Sequence, residues 1–315
     1  MQQPLQRVLS KVSSHLMLYL DEEQVRRHLR MEELIPAMEK ALSDFSAGKV
    51  TQPVRSVIMV DPPGGFFGMM PALAEGLGIK LVTFYPPNAK LGIPTHMATI
   101  FLADPETGAP LAVMDGTLIT EMRTAAVSAA ATELLASPDA KILAILGSGV
   151  QARSHNEALR LVRRFEEIRV WSPTKAHAER FAEEIGAAAM SAEDAVRNAD
   201  VVVTATNSKM SILRGTWLKP GCHVNAVGAC RPDWRELDDD AMRNVVFVDS
   251  REGAMKESGD IILSGAKVYA ELGEALAGKV PPRANETTIF KSLGMAVEDI
   301  AAALLVYRLA TKTEE

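Results

Sequence analysis

Two rhythms of apolar and polar positions alternate along the chain. Asp21 is placed to cap a helix over 22–30, with Glu22 and Glu23 favourable in its first turn. Leu34, Ile35, Met38, Ala41, Leu42 and Phe45 form the apolar stripe of a second helix over 32–47, and Gly48 is its natural stop. From 51 to 118 the period shortens. Runs at 54–60, 66–70, 78–85, 98–103 and 111–115 read as strands, with Pro62, Pro63, Gly64 and Gly65 as a turn. Helical spacing returns over 119–136, where Ala125, Ala126, Ser128, Ala129 and Ala130 predict close packing against another element. Beyond Ser137-Pro138-Asp139 strands and helices alternate. Strands are expected at 141–146, 168–171, 200–205, 223–227 and 245–249, and helices from about 150 to 164, at 175–185 and at 192–198. This alternation predicts an α/β fold, a Rossmann-type doubly wound parallel sheet with helices on both faces. A last helix over 292–310 is expected to return to the first part of the chain.

Composition narrows the partners. With 47% apolar and 23% charged residues among 315, the chain resembles an ordinary soluble protein with a sizeable core. Its 34 basic and 40 acidic residues give a formal charge of -6, which argues against nucleic acid as a partner. Two cysteines, Cys222 and Cys230, exclude a disulfide framework and fit a reducing compartment. The histidines show no HxxxH spacing and the cysteines no CxxC, so no metal is expected. No apolar run is long enough to span a membrane, and Arg7 and Lys11 are not followed by a long apolar signal segment; a cytoplasmic enzyme is the expectation.

The most specific local signal is Gly147-Ser148-Gly149-Val150-Gln151-Ala152, lying between an expected strand and helix. Its first glycine serves the tight turn, its second admits a pyrophosphate to the backbone, and its small third residue lets helix and strand close up. The free N–H groups of the helix start then face the phosphates. The second strand ends at Trp171-Ser172-Pro173-Thr174-Lys175, without the acid that holds an NAD ribose. Ser172, Thr174 and Lys175 offer donors and charge for a 2′-phosphate, which favours NADPH and keeps NADH as the alternative.

Four further stretches carry a resemblance: Ile119-Thr-Glu-Met-Arg-Thr-Ala-Ala126, Gly228-Ala-Cys-Arg-Pro-Asp-Trp-Arg-Glu-Leu-Asp-Asp239, Lys256-Glu-Ser-Gly-Asp260 and Phe290-Lys-Ser-Leu-Gly-Met-Ala-Val-Glu-Asp299. Together with Gln52-Pro-Val-Arg55, Lys80-Leu-Val-Thr-Phe-Tyr85 and Ala112-Val-Met-Asp-Gly116, they resemble the ornithine cyclodeaminase/mu-crystallin family from about residue 20 to 308. The resemblance implies a homodimer. It implies a substrate and dimerisation domain of α+β type built from both chain ends, 1–122 with 292–315, and a dinucleotide domain over 123–291. The active site would lie in the cleft between them.

The same resemblance implies the chemistry. Two carboxylates needed for cyclodeamination would fall at Gly68 and Cys230, and both are missing. What remains is hydride transfer to a preformed C=N bond: reduction of a cyclic imine carboxylate such as piperideine-2-carboxylate or pyrroline-2-carboxylate. Lys80 and Arg123 are the catalytic candidates, and Arg55, Phe84, Cys230, Arg231, Glu257 and Leu293 join them around the substrate. Arg55 and Lys80 each interrupt an expected apolar strand, where a charged residue is hard to explain as surface. Thr95, His96, Arg123, Gly147, Ser148, Gly149, Val150, Gln151, Ser172, Thr174, Lys175, Thr204, Ala205, Thr206, Val227 and Ser292 form the expected cofactor set. Cys230 reads first as a small packing residue and second as a cleft-lining or weak proton-donating one. The run Glu236-Leu-Asp-Asp-Asp240 reads as a solvated helix start. Alternatives are ornithine cyclodeaminase, an amino-acid dehydrogenase of the alanine dehydrogenase type, and a binding protein for thyroid-hormone-type ligands.

Overall fold

The structure, a computed structural model, describes residues 17–312. Two sheets organise it. The first contains β1 (Leu18–Leu20), β2 (Ser56–Val60), β3 (Gly65–Leu73), β4 (Leu77–Phe84), β5 (His96–Ala103) and β6 (Pro110–Asp115), in the order β1-β6-β5-β4-β3-β2. The pairing is antiparallel throughout, except that β1 runs parallel to β6. Helices α1 (Glu22–His28), α2 (Met31–Ser46) and α3 (Thr117–Leu135) belong to the same half of the chain. Asp21 caps α1 by accepting from the Gln24 amide at 2.9 Å. Arg7 and Lys11 lie outside the described residues.

The second sheet is wholly parallel. Its strands are β7 (Ile142–Leu146), β8 (Glu167–Trp171), β9 (Ala188–Ala189), β10 (Val201–Thr204), β11 (His223–Ala226), β12 (Val245–Val248), β13 (Val268–Glu271) and β14 (Thr288–Lys291). They lie in the order β13-β12-β14-β11-β10-β7-β8-β9. Helices α4 (Val150–Val162), α5 (Lys175–Ile185) and α6 (Ala192–Val196) connect its first half; α7 (Arg251–Glu257), α8 (Gly259–Ser264) and α9 (Leu272–Leu276) its second. From β7 the chain moves to one side through β8, then returns to the other side at β10. That reversal opens a crevice at the carboxyl ends of β7 and β10, where open α/β sheets bind ligands.

Several expectations need correction. Strands β13 and β14 are absent from the pattern reading, although β14 is central, between β11 and β12. Thr288 and Lys291 are buried polar residues at its two ends and break the apolar run that marks such a strand. The last helix, α10, covers Ala296–Lys312 and not 292–310, because residues 292–295 carry the chain from β14 to the helix. Arg55 precedes β2 and is not within a strand. Here the chain turns toward α10, and the Gln52 side chain accepts from the Val297 amide at 2.9 Å. A division at 122/123 falls inside α3, one continuous helix that packs on α2 and α4 and also touches β5 and β11.

Helix α10 packs on α2, α3, β3, β4 and β5. Gly78 allows this closeness: a Cβ there would stand 2.8 Å from Ile300 Cδ1. The small residues of α3 do the same against α4, where Ser128 Oγ lies 2.9 Å from His155 Nε2. Burial pushes the His155 imidazole down to about 4, so it is neutral and structural.

Candidate active site

Residues from both sheets meet beside the crevice. Lys80 alternates inward with Gly78 and Val82 along β4 and is only 2% exposed. Its Nζ lies 2.5 Å from Asp299 Oδ2, delivered by the first turn of α10. Thr120, on α3, stands 3.4 Å from the same ammonium. Arg123 is one turn further along α3, on the same face as Thr120. Its Nε donates to Asp299 Oδ1 at 2.9 Å and its Nη1 to Glu298 Oε2 at 2.7 Å. Two cations and two carboxylates are thus packed together out of water.

Burial sets the charges. It pushes Lys80 down to about 8, with Arg123 and Arg55 adding to the fall and Asp299 opposing it. Burial also works against the Asp299 charge, but Arg123 and Lys80 outweigh it and hold that carboxyl below its ordinary value. Glu298 goes the other way: burial lifts it to about 7 against the pull of Arg123, with Asp249 and Asp299 contributing. His96 falls to about 4 by burial and the nearby charges of Lys80 and Arg123, which places it in the same neighbourhood as a neutral ring.

Asp249, just after β12, holds the loop at 292–294. Its Oδ2 accepts from the Leu293 and Gly294 amides at 2.5 and 2.8 Å, and Ser292 Oγ is 3.4 Å away. Gly294 has a φ of +78 and lies against the Arg123 guanidinium, so a side chain there would displace the arginine. Arg55 donates through Nη2 to the Leu293 and Gly294 carbonyls at 3.0 Å each, and its Nε is 3.0 Å from Glu257 Oε1. Arg55, Glu257, Asp249 and Leu293 border a cavity of about 90 Å³. Burial raises the Glu257 carboxyl, with Arg55 opposing.

Across from this group, Arg231 lies over the Phe66 ring at 4.9 Å and the Trp234 ring at 5.4 Å. Phe66 packs on Phe84 with centroids 5.5 Å apart. This stack joins a loop of the parallel sheet to β3 and β4. Cys230 is exposed beside it, with a free thiol. At Gly68 a Cβ would stand 2.9 Å from Val82 Cγ1, so a side chain there would have to displace Val82.

The glycine turn is built for close approach. Gly147 has a φ of +145, and a Cβ on it would stand 2.5 Å from the Ala205 carbonyl oxygen. Gly149 starts α4 with no side chain capping it and open space where a Cβ would be, so its face of the helix end is clear for a phosphate. Val150 is exposed at that end, and Gln151 follows with a buried side-chain oxygen lacking a protein partner. Ser148 Oγ donates to Ser172 Oγ at 2.9 Å, tying the first turn to the end of β8. Thr174 caps the start of α5 by position without a side-chain bond, and Lys175 is 89% exposed, 3.5 Å from Glu179. Thr95 holds the start of β5, where its carbonyl accepts from Tyr85 at 2.7 Å. Ala205 and Val227 continue β10 and β11 into the crevice.

One reading is overturned here. Glu236 is not on a solvated helix start; it is fully buried. The Glu236 carboxylate takes up the hydroxyls of two residues in the expected cofactor set, Thr204 at 2.8 Å and Thr206 at 2.7 Å, and this inward turn was not expected from the pattern. Pattern reading also gave no role to Glu298 and Asp299. Two acids in the first turn of a helix read as dipole partners; only the lysine and arginine facing them reveal more.

A profile of the ornithine cyclodeaminase/mu-crystallin family matches residues 15–314. The chain belongs to that family. It is 51% identical over 300 residues to the ketimine reductase mu-crystallin of Mus musculus, covering 92% of this chain and 96% of that one. The structure of Thermococcus litoralis Delta(1)-pyrroline-2-carboxylate reductase in complex with NADH and L-proline superposes with a TM-score of 0.90 at 38% identity, covering 95% and 98%. An archaeal alanine dehydrogenase dimer with bound NAD superposes with a TM-score of 0.89 at 34% identity, covering 95% and 97%. Among the described residues of this family member, no helix is long and apolar enough to cross a membrane and no cluster of side chains suits a metal.

Proposed function

We propose that this protein is an imine reductase, turning cyclic ketimine carboxylates of the piperideine-2-carboxylate or pyrroline-2-carboxylate type into cyclic L-amino acids. The observation that carries the reading is the buried Lys80–Asp299–Arg123 cluster, whose Arg123 guanidinium lies against Gly294, just past the carboxyl end of β14 in the parallel sheet. The likeness to a ketimine reductase and a pyrroline-2-carboxylate reductase supports it. The open face at Gly149 and the tight Gly147 turn suit a dinucleotide, which would be held by the α4 amides, Ser148 and the 172–175 turn. A bound dihydronicotinamide supplies the hydride. Arg123 and Arg55 draw the substrate carboxylate in, and Lys80 holds a proton for the imine nitrogen. A protonated imine is the better hydride acceptor, so the lysine favours the transition state. Leu293, Phe84 and the Arg231 stack close the cleft against water. Gly68 and Cys230 leave both carboxylate positions of cyclodeaminase chemistry without an acid.

The first measurement follows absorbance at 340 nm with piperideine-2-carboxylate and NADPH, beside ornithine with NAD and pyruvate with ammonia. Turnover with the cyclic imine is the expected result. Turnover confined to pyruvate and ammonia would support the dehydrogenase reading, which the archaeal relative favours. NADPH is proposed over NADH because the 171–175 turn lacks an acid and exposes Lys175; a higher kcat/KM with NADH would reverse that choice.

Arg55→Ala is expected to raise KM for the imine carboxylate about tenfold or more, as loss of a charge-assisted contact implies. Nucleotide affinity should hardly change, because Arg55 reaches only the 293–294 loop and Glu257. An unchanged KM would remove Arg55 from the substrate site.

The first sheet together with α10 is proposed to form the substrate and dimerisation domain. Val57, Ile58 and Met59 are exposed on edge strand β2, an apolar edge that a second copy would cover. A doubled mass by light scattering is the expected result. A cytoplasmic location belongs to the same proposal, since both thiols are free and Cys230 is exposed.

A further inference from the structure

The parallel sheet contains a second buried charged group, separate from Lys80 and Arg123. Glu236 is fully buried in the loop segment after β11, and four donors converge on its carboxylate. Thr206 donates to Oε1 through both its amide and its hydroxyl, each at 2.7 Å. The Gly228 amide and the Thr204 hydroxyl donate to Oε2, each at 2.8 Å. Two of these donors are backbone amides, which can only donate, so both carboxyl oxygens act as acceptors; burial raises the Glu236 carboxyl, with Lys291 and the Thr206 and Thr204 hydroxyls opposing.

Glu236 is itself held. Its amide and that of Leu237 donate to Asp260 Oδ1 at 2.8 and 3.0 Å. Asp260 Oδ2 lies 3.1 Å from Lys291 Nζ, and neither side chain is exposed. A carboxylate buried this deeply is stable only with such donors and a countercharge. Its placement is informative. Thr206 continues β10 past Ala205, the residue packed on Gly147, and Gly228 continues β11 past Val227. Glu236 therefore ties together the two loops that edge the dinucleotide crevice opposite the glycine turn. Gly228 fits only because it has no side chain, since a Cβ there would collide with the Glu236 carboxylate and the Thr206 carbonyl.

We propose that Glu236 is a positioning residue for the nicotinamide nucleotide: it fixes the 204–206 and 228 loops against each other, and so sets the wall of the crevice without touching the ligand. The inference rests on the nucleotide reading of that crevice.

The test is equilibrium titration of NADPH, followed by its fluorescence, with thermal melting of the free protein as a parallel readout. Loss of hydrogen bonds to a buried charge is expected to raise the nucleotide Kd about tenfold in Glu236→Gln and in Thr204→Val, with Thr204→Ser returning to within about twofold of the unaltered protein. Thr204 serves as the second variant if Glu236→Gln fails to fold. Its hydroxyl faces Glu236 and not the crevice, so an effect on nucleotide affinity must travel through that carboxylate. A lowered melting temperature with unchanged Kd in the folded variants would overturn the positioning role and leave a purely structural one. Equal weakening by Thr204→Ser and Thr204→Val would overturn it as well. Absence of NADPH and NADH binding by the unaltered protein would overturn the cofactor reading itself, a result distinct from both.

Discussion

Lys80→Met is expected to lower kcat for the cyclic imine on the order of 10²–10⁴-fold, the range of a positioned proton donor. Nucleotide binding should be retained, because Lys80 stands on β4, in the other sheet from the glycine turn. Methionine keeps most of the buried volume, and Asp299 keeps its bond to Arg123, so the fold should survive. The unaltered enzyme should show a matching pH profile. Lys80 is an ammonium below about 8 and loses its proton above it, so kcat/KM should fall as pH rises through that value. A variant with kcat within tenfold of the parent would rule out Lys80 as the proton holder.

Asp299→Asn should have the second large effect, on both stability and pH dependence. Asp299 neutralises Lys80 and Arg123 at once, at 2.5 and 2.9 Å. Removing one partner of a buried ion pair leaves uncompensated charge and costs about 3–5 kcal/mol, readable in denaturant melts. The sign of the pH effect follows from the same contact. Asp299 raises the Lys80 value against burial, so its loss moves Lys80 lower. The alkaline fall in kcat/KM should shift to lower pH, and the rate at neutral pH should drop because less ammonium remains. A limb that stays near pH 8 would show that another group controls it.

Much of the fold was legible because it is written in short range. The glycine pattern between β7 and α4 needs only neighbouring residues to make its turn, and the expected strands at 66–70, 78–85 and 98–103 appear as β3, β4 and β5 with shifts of a few residues. The central strand β14 escaped because its two ends, Thr288 and Lys291, are buried polar residues with long-range partners, Lys291 to Asp260 above all; β1 and β9 are only three and two residues long, too short for a period to show. Arg55 and Lys80 were legible as charges out of place in apolar runs. Glu257, the counterion of Arg55, was among the expected site residues; Asp299 and Glu298, which pair with Lys80 and Arg123, were not, because nothing local distinguishes them from ordinary acids at a helix start. Glu236 shows the same limit in reverse: a dense acidic run reads as solvated, yet one member is buried by bonds to residues 8 to 32 positions away.

From the sequence alone come the α/β class, the dinucleotide turn, the missing cyclodeaminase carboxylates and the basic residues of the site. The class and the turn follow from local sterics and periodicity; the missing carboxylates and the roles of the basic residues are what the family resemblance implies. Tertiary structure alone decided which acids neutralise those basic residues, that Thr204 turns inward, and that α10 returns to lay Asp299 on Lys80. The reason is physical: the charge state of a buried group depends on burial and on countercharges set by packing, and here the partners lie up to 219 positions apart in sequence, from Lys80 to Asp299.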